Sequence, residues 1–84
     1  MSNRSRFVYI LRGVNHPDRC YVGLTDDVHR RLAVHNSGGS THTASLRPWT
    51  LVACVEFTNP ETAAAFERYL KTGSGRAFSK RHFV

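Results

Sequence analysis

Two short apolar runs, separated by seven residues of turn chemistry, constrain this chain more than anything else in it. "RFVYILR" covers residues 6–12 and "CYVGLT" covers 20–25, with "GVNHPDR" between them. Val, Ile, Phe and Tyr suit a pleated, half-buried surface. Gly13, Asn15, Pro17 and Asp18 are turn formers. The pattern predicts an antiparallel hairpin with a longer loop. Each strand carries a tyrosine, Tyr9 and Tyr21. Alternation along a strand places Phe7, Tyr9 and Leu11 on one face. Two readings follow: the phenols fill a core, or both hydroxyls face one site.

The rest of the chain reads as helix, strand, helix and tail. "DDVHRRLAVHN" opens on Asp and stops at Asn-Ser-Gly-Gly, the signature of a helix. At roughly 100° per residue, Val28 and Leu32 define its buried side, Arg31 and His35 flank that side, and Arg30 looks at water. "NSGGSTHTAS" is a polar loop free to move. "TLVACVEF" (50–57) is apolar at both parities, which predicts a strand covered on two sides and central in its sheet. "NPETAAAFERYLK" has Asn59 as cap and Pro60 at the first helical position, with Ala63, Phe66 and Leu70 as its inner stripe. Glu67 falls on the edge of that stripe. The tail breaks at Gly73 and Gly75 and leaves "RAFSKRHF" for a short helix. The order β-β-α-β-α plus a helical tail is an α+β domain, and 84 residues suffice for one, 1–84.

Charge bears on partners. Twelve Lys and Arg against six Asp and Glu give a net charge of +6. The stretch 28–51 holds no acid, nor does the stretch from Arg68 onward. Such a balance favours nucleic acid or another anionic surface. No basic stretch carries the bulky apolar face of a membrane-lying helix, so a membrane is not the expected partner. Cys20 and Cys54 sit in apolar runs without metal-ligand spacing. With no leader-like segment, they read as reduced core thiols of a cytoplasmic protein.

Taken in order, the tyrosine strands, the arginine helix and the helix of Glu67 resemble the GIY-YIG nuclease family. "FVY" (7–9) stands at the first signature and "YVG" (21–23) at the second. "VGLTDDVHRRLAVHNSG" and "AFERYLKTGSGR" resemble the small stand-alone bacterial members, which are similar to the nuclease domain of the excinuclease C subunit. The likeness spans residues 6 to about 82. Phe7 replaces the first signature's glycine, and no C-terminal asparagine of the kind some members use is evident.

The resemblance implies a three-stranded antiparallel sheet flanked by helices, and hydrolysis of DNA phosphodiesters with one divalent ion, Mg²⁺ or Mn²⁺. It makes Tyr9 and Tyr21 the signature tyrosines, Arg31 the catalytic arginine, His35 a site histidine, Gly23 the signature glycine and Glu67 the metal ligand. These types suit the chemistry. A phenol can act as general base where cations lower its pKa, and the sequence leaves open which tyrosine does so. A guanidinium fork stabilises a pentavalent phosphate, and Mg²⁺ needs few protein carboxylates. Arg30, Arg47, Lys71, Arg76, Lys80, Arg81 and His82 are candidate phosphate contacts. The expected partner is DNA, single-stranded, flapped or distorted, with unstacked bases resting on Phe78, His82 or Trp49. A non-catalytic binder is one alternative. A subunit active only with a protein partner, marked by exposed Phe78 and Phe83, is another. Either a monomer or a weak dimer is compatible with the sequence.

Overall fold

The computed structural model describes residues 5–84. Strand β1 spans Arg6–Gly13 and β2 spans Cys20–Thr25. Helix α1 (Val28–Ser37) and a single 3-10 turn (Ala44–Leu46) lead to β3 (Trp49–Phe57). Helices α2 (Pro60–Leu70) and α3 (Gly73–His82) complete the chain. The fold is α+β, with one antiparallel sheet in the order β2-β1-β3.

The hairpin forms as the sequence predicts. Gly13 N–H donates to the Arg19 carbonyl at 3.0 Å and Arg19 N–H to the His16 carbonyl at 2.9 Å, closing its loop. In α1, the Asp27 carboxylate caps the first turn by accepting from Arg30 N–H at 3.0 Å. Asn59 does the same for α2, accepting from Glu61 N–H at 2.8 Å, with Pro60 at the position where its missing donor costs nothing.

Strand β1, not β3, is the central strand. Val8, Tyr9, Ile10 and Leu11 are each at most 2% exposed, so β1 is buried on both faces. On one face Val8 and Ile10 pack against Ala63 and Leu70 of α2, with Phe66 and Phe78 beside them. On the other, Tyr9 and Leu11 pack against Val28 and Trp49, with Leu32. Each fully buried aliphatic here contributes roughly 1.5–3 kcal/mol.

Strand β3 is apolar at both parities because helices cover it, not because strands flank it. Val52 and Phe57 lie against α2 while Trp49 and Leu51 join the α1 side. A bulge at Val52, where the partners of Ile10 and Leu11 skip from Ala53 to Leu51, lets neighbouring residues serve both faces. Beyond the bulge the α1-side cover runs out, leaving Cys54 and Glu56 exposed. Cys20, on the other edge strand, is exposed too. Neither cysteine is the core thiol that the apolar runs suggested, because each sits on an edge strand at a position no helix covers.

Two further expectations change. The glycines of the tail do not break it: α3 begins at Gly73 and contains Gly75 in its first turn. Thr72 caps this turn, accepting from Gly75 N–H at 3.1 Å. Gly75 is needed for close approach, since a Cβ there would overlap the Tyr69 carbonyl at the end of α2. The polar loop is anchored at Thr43, which is 1% exposed and whose carbonyl accepts from Trp49 Nε1 at 3.0 Å.

Candidate active site

Tyr9 reaches its position because Gly23 has no side chain. The two residues pair across β1 and β2, and the phenol lies over the glycine so closely that a Cβ would overlap its Cζ and Oη. The signature glycine therefore admits the Tyr9 ring. The ring runs toward the outer edge of the sheet, where β2 carries Tyr21 on the same face. The two tyrosine rings are 6.3 Å apart, and His35 sits 4.8 Å from Tyr21 and 5.8 Å from Tyr9 by ring centroids.

His35, on the last turn of α1, is completely buried. Its Nε2 lies 2.9 Å from the Tyr9 hydroxyl and its Nδ1 lies 2.7 Å from Thr43 Oγ1. The Thr43 hydroxyl donates to the Ser40 carbonyl at 3.4 Å, so its oxygen is left to accept from Nδ1–H. That arrangement matches the neutral imidazole whose Nε2 accepts from the Tyr9 hydroxyl. Burial pushes the imidazole below its ordinary pKa, and the Arg31 guanidinium adds to the effect. Burial likewise pushes the Tyr9 phenol up; Arg31 pulls against it, Tyr21 adds to it and Lys71 pulls down. Arg31 therefore stands beside both groups, one helical turn before His35 as its flank position on α1 requires.

Glu67 projects from α2 with a side chain only 17% exposed, and its Oε2 lies 2.5 Å from Lys71 Nζ. Among the described residues no three His, Cys, Asp or Glu side chains gather to hold a metal. A single hard carboxylate still fits Mg²⁺ or Mn²⁺, which keep most of their waters and take the remaining oxygens from a phosphate. In this structure the cation paired with Glu67 is the Lys71 ammonium.

Lys71, Arg76 and Lys80 line one open groove of about 830 Å³ with Tyr21, over a floor that includes Val22 and Leu70. Arg19, from the hairpin loop, joins them. The other candidate cations stand apart. Arg30 looks at solvent and bonds Asp26 at 3.1 Å. Arg47 donates to the Ala44 carbonyl at 2.9 Å. Arg81 and His82 are exposed on α3 outside the groove lining. Of the proposed base platforms, Trp49 is 4% exposed and belongs to the core. Phe78 packs against the α2-side core, as does Phe83, so neither is the exposed apolar mark of a partner surface. His82 lies against Phe78, ring centroids 4.7 Å apart.

Sequence reasoning missed Thr43, Arg19 and the pairing of Lys71. Glu67 and Lys71 stand at the i, i+4 spacing of a helical ion pair, which is a readable signal. Thr43 and Arg19 carry none, because only the folded loops bring them to the site.

The profile of the GIY-YIG catalytic domain matches residues 5–81. A protein named structure-specific endonuclease subunit SLX1 from Candida dubliniensis is 39% identical over 82 residues, 89% of this chain and 27% of that one. The chain thus spans about a quarter of that relative's length. A UPF0213 protein from Lactococcus lactis subsp. cremoris is 37% identical over 68 residues, covering 80% of this chain and 67% of its own. The solution structure of a UPF0213 protein from Bacillus halodurans superimposes with a TM-score of 0.55 at 35% identity, covering 90% of this chain and 80% of that one. These likenesses run to SLX1-type and UPF0213-type proteins and do not single out the excinuclease C domain. Among the described residues no helix is long and apolar enough to cross a membrane.

Proposed function

The chain belongs to the GIY-YIG family, and from that premise we propose that it is a metal-dependent endonuclease that hydrolyses phosphodiester bonds of single-stranded, flapped or otherwise distorted DNA. The observation that carries this reading is the convergence of Tyr9, His35, Tyr21 and the Arg31 guanidinium beside a cationic groove. A wall of Lys71, Arg76, Lys80 and Arg19 suits a phosphate backbone. The apolar floor suits an unstacked base.

The roles divide by exposure. Tyr9 is buried and its hydroxyl is shared between His35 and Arg31, so it is a positioning residue. Tyr21 lines the open groove and, as its phenolate, takes the proton of the attacking water. Arg31 offers paired donors to the non-bridging oxygens as charge builds in the transition state. Glu67 is the residue that would hold the divalent ion. When bound, that ion supplies positive charge to the phosphate and the leaving oxygen. Arg30, Arg47, Arg81 and His82 contribute at most to the long-range field.

Incubating the protein with labelled single-stranded, flapped and duplex DNA, in Mg²⁺, Mn²⁺ or EDTA, tests the reading. Metal-dependent cleavage is expected, falling by about 10²-fold or more in Arg31→Ala and also lost in Glu67→Ala, with binding retained. Binding without product in any metal would sink it. A second reading has one observation behind it: the relative's name calls that protein a subunit. Cleavage that appears only on adding a partner would favour a chain that works in a complex.

A further inference from the structure

Lys71 is engaged on two sides. Its Nζ closes an ion pair with Glu67, and its charge acts on the Tyr9 phenol. The side chain also lines the groove, 53% exposed, while Glu67 is mostly covered. A carboxylate this covered is costly without a counter-charge, and Lys71, one helical turn away, supplies it. The lysine stem is long and flexible, its head a compact point charge. It is therefore a cation that stabilises the carboxylate without being locked to it.

We propose that Lys71 is a resident counter-ion on Glu67 that a divalent cation must displace in order to bind. This rests on the reading of Glu67 as the metal-holding residue. An ammonium and a doubly charged ion cannot share one carboxylate without strong mutual repulsion at such short separation. Metal binding is thus an exchange at Glu67, and the free protein holds metal weakly. The released ammonium faces the groove shared with Arg76 and Lys80, where a phosphate is its next partner. Meanwhile the pair keeps the Glu67 carboxylate in place until the exchange occurs.

Mn²⁺ titrations of the 84-residue chain without DNA, followed by electron paramagnetic resonance, test this directly. Lys71→Gln and Lys71→Met are expected to bind Mn²⁺ about tenfold more tightly than the unaltered chain. Lys71→Arg, which keeps the charge, is expected to stay close to the unaltered chain, and Glu67→Gln sets the background. Circular dichroism melts identify the folded variants, and either neutral substitution suffices. Equal affinity in the unaltered chain and the neutral variants overturns the proposal, as does weaker binding in those variants. Cleavage assays on the same preparations keep the two readings apart. Normal cleavage with equal Mn²⁺ affinities overturns the counter-ion and leaves the nuclease standing. Tighter Mn²⁺ binding in Lys71→Gln without cleavage by any preparation does the reverse.

Discussion

His35 is the residue whose protonation the fold restricts most. Burial, helped by Arg31, holds its imidazole below the ordinary value of 6.5. The unfolded chain takes up a proton there near pH 6.5 that the folded chain refuses. This contribution to stability is fully present above that pH. It is lost progressively as pH falls from 6.5 toward the lower folded value, by at most about 1.4 kcal/mol per pH unit. Urea midpoints measured between pH 8 and pH 5 should drop on the acid side, and His35→Gln should flatten that drop while lowering stability throughout. An unchanged acid slope in His35→Gln would show that the neutral, doubly bonded imidazole is not what the fold requires. Tyr9, Tyr21, Arg31 and His35 were all readable as candidates because short motifs and helical spacing mark them. Thr43, which bonds His35 Nδ1, was not: a threonine in a polar loop carries no sign of the contact that folding gives it.

At the scale of elements, local signals located the pieces well. Asp27, Asn59 and Pro60 marked the starts of α1 and α2, and turn residues marked the hairpin. Placement failed where cover and pairing had to be told apart. An apolar run at both parities says that a strand is covered, and in β3 the cover comes from helices, so its place at the sheet edge was illegible. Gly75 misled for a related reason. Glycine lowers helix propensity, yet here it lets α3 start against the backbone of α2. Gly75→Ala tests which effect is larger. Propensity alone predicts a gain of up to about 1 kcal/mol, whereas overlap with the Tyr69 carbonyl predicts a loss of about 1–3 kcal/mol. A lowered denaturation midpoint is the expected outcome, and a raised one would mean that α3 is not seated as described.

Over the whole molecule, charge is spread widely, with one cluster along the groove. Of twelve Lys and Arg residues, four line the groove: Arg19, Lys71, Arg76 and Lys80. With Lys71 held on Glu67, a single strand in the groove meets the other three cations, so the logarithm of the association constant should fall against the logarithm of salt with a slope of about −2, near −0.7 for each phosphate neutralised. Arg76→Ala should make that slope shallower by about 0.7, whereas Arg30→Ala, on a residue already paired with Asp26, should leave it nearly unchanged. Equal effects from the two substitutions, in anisotropy titrations across a salt series, would remove the groove as the binding locus. The sheet also divides the molecule's labour. The α1 side carries imidazole, guanidinium and phenol, while the α2 and α3 side carries carboxylate and ammonium groups, with β1 buried between them. Lys71 links the two sides: it lines the groove with Tyr21, and its charge acts on the Tyr9 phenol. Strand β1 is therefore a partition between two chemically different faces. Changes to the exposed cations of α3 thus alter the groove without touching the buried His35–Tyr9 contact on the opposite face.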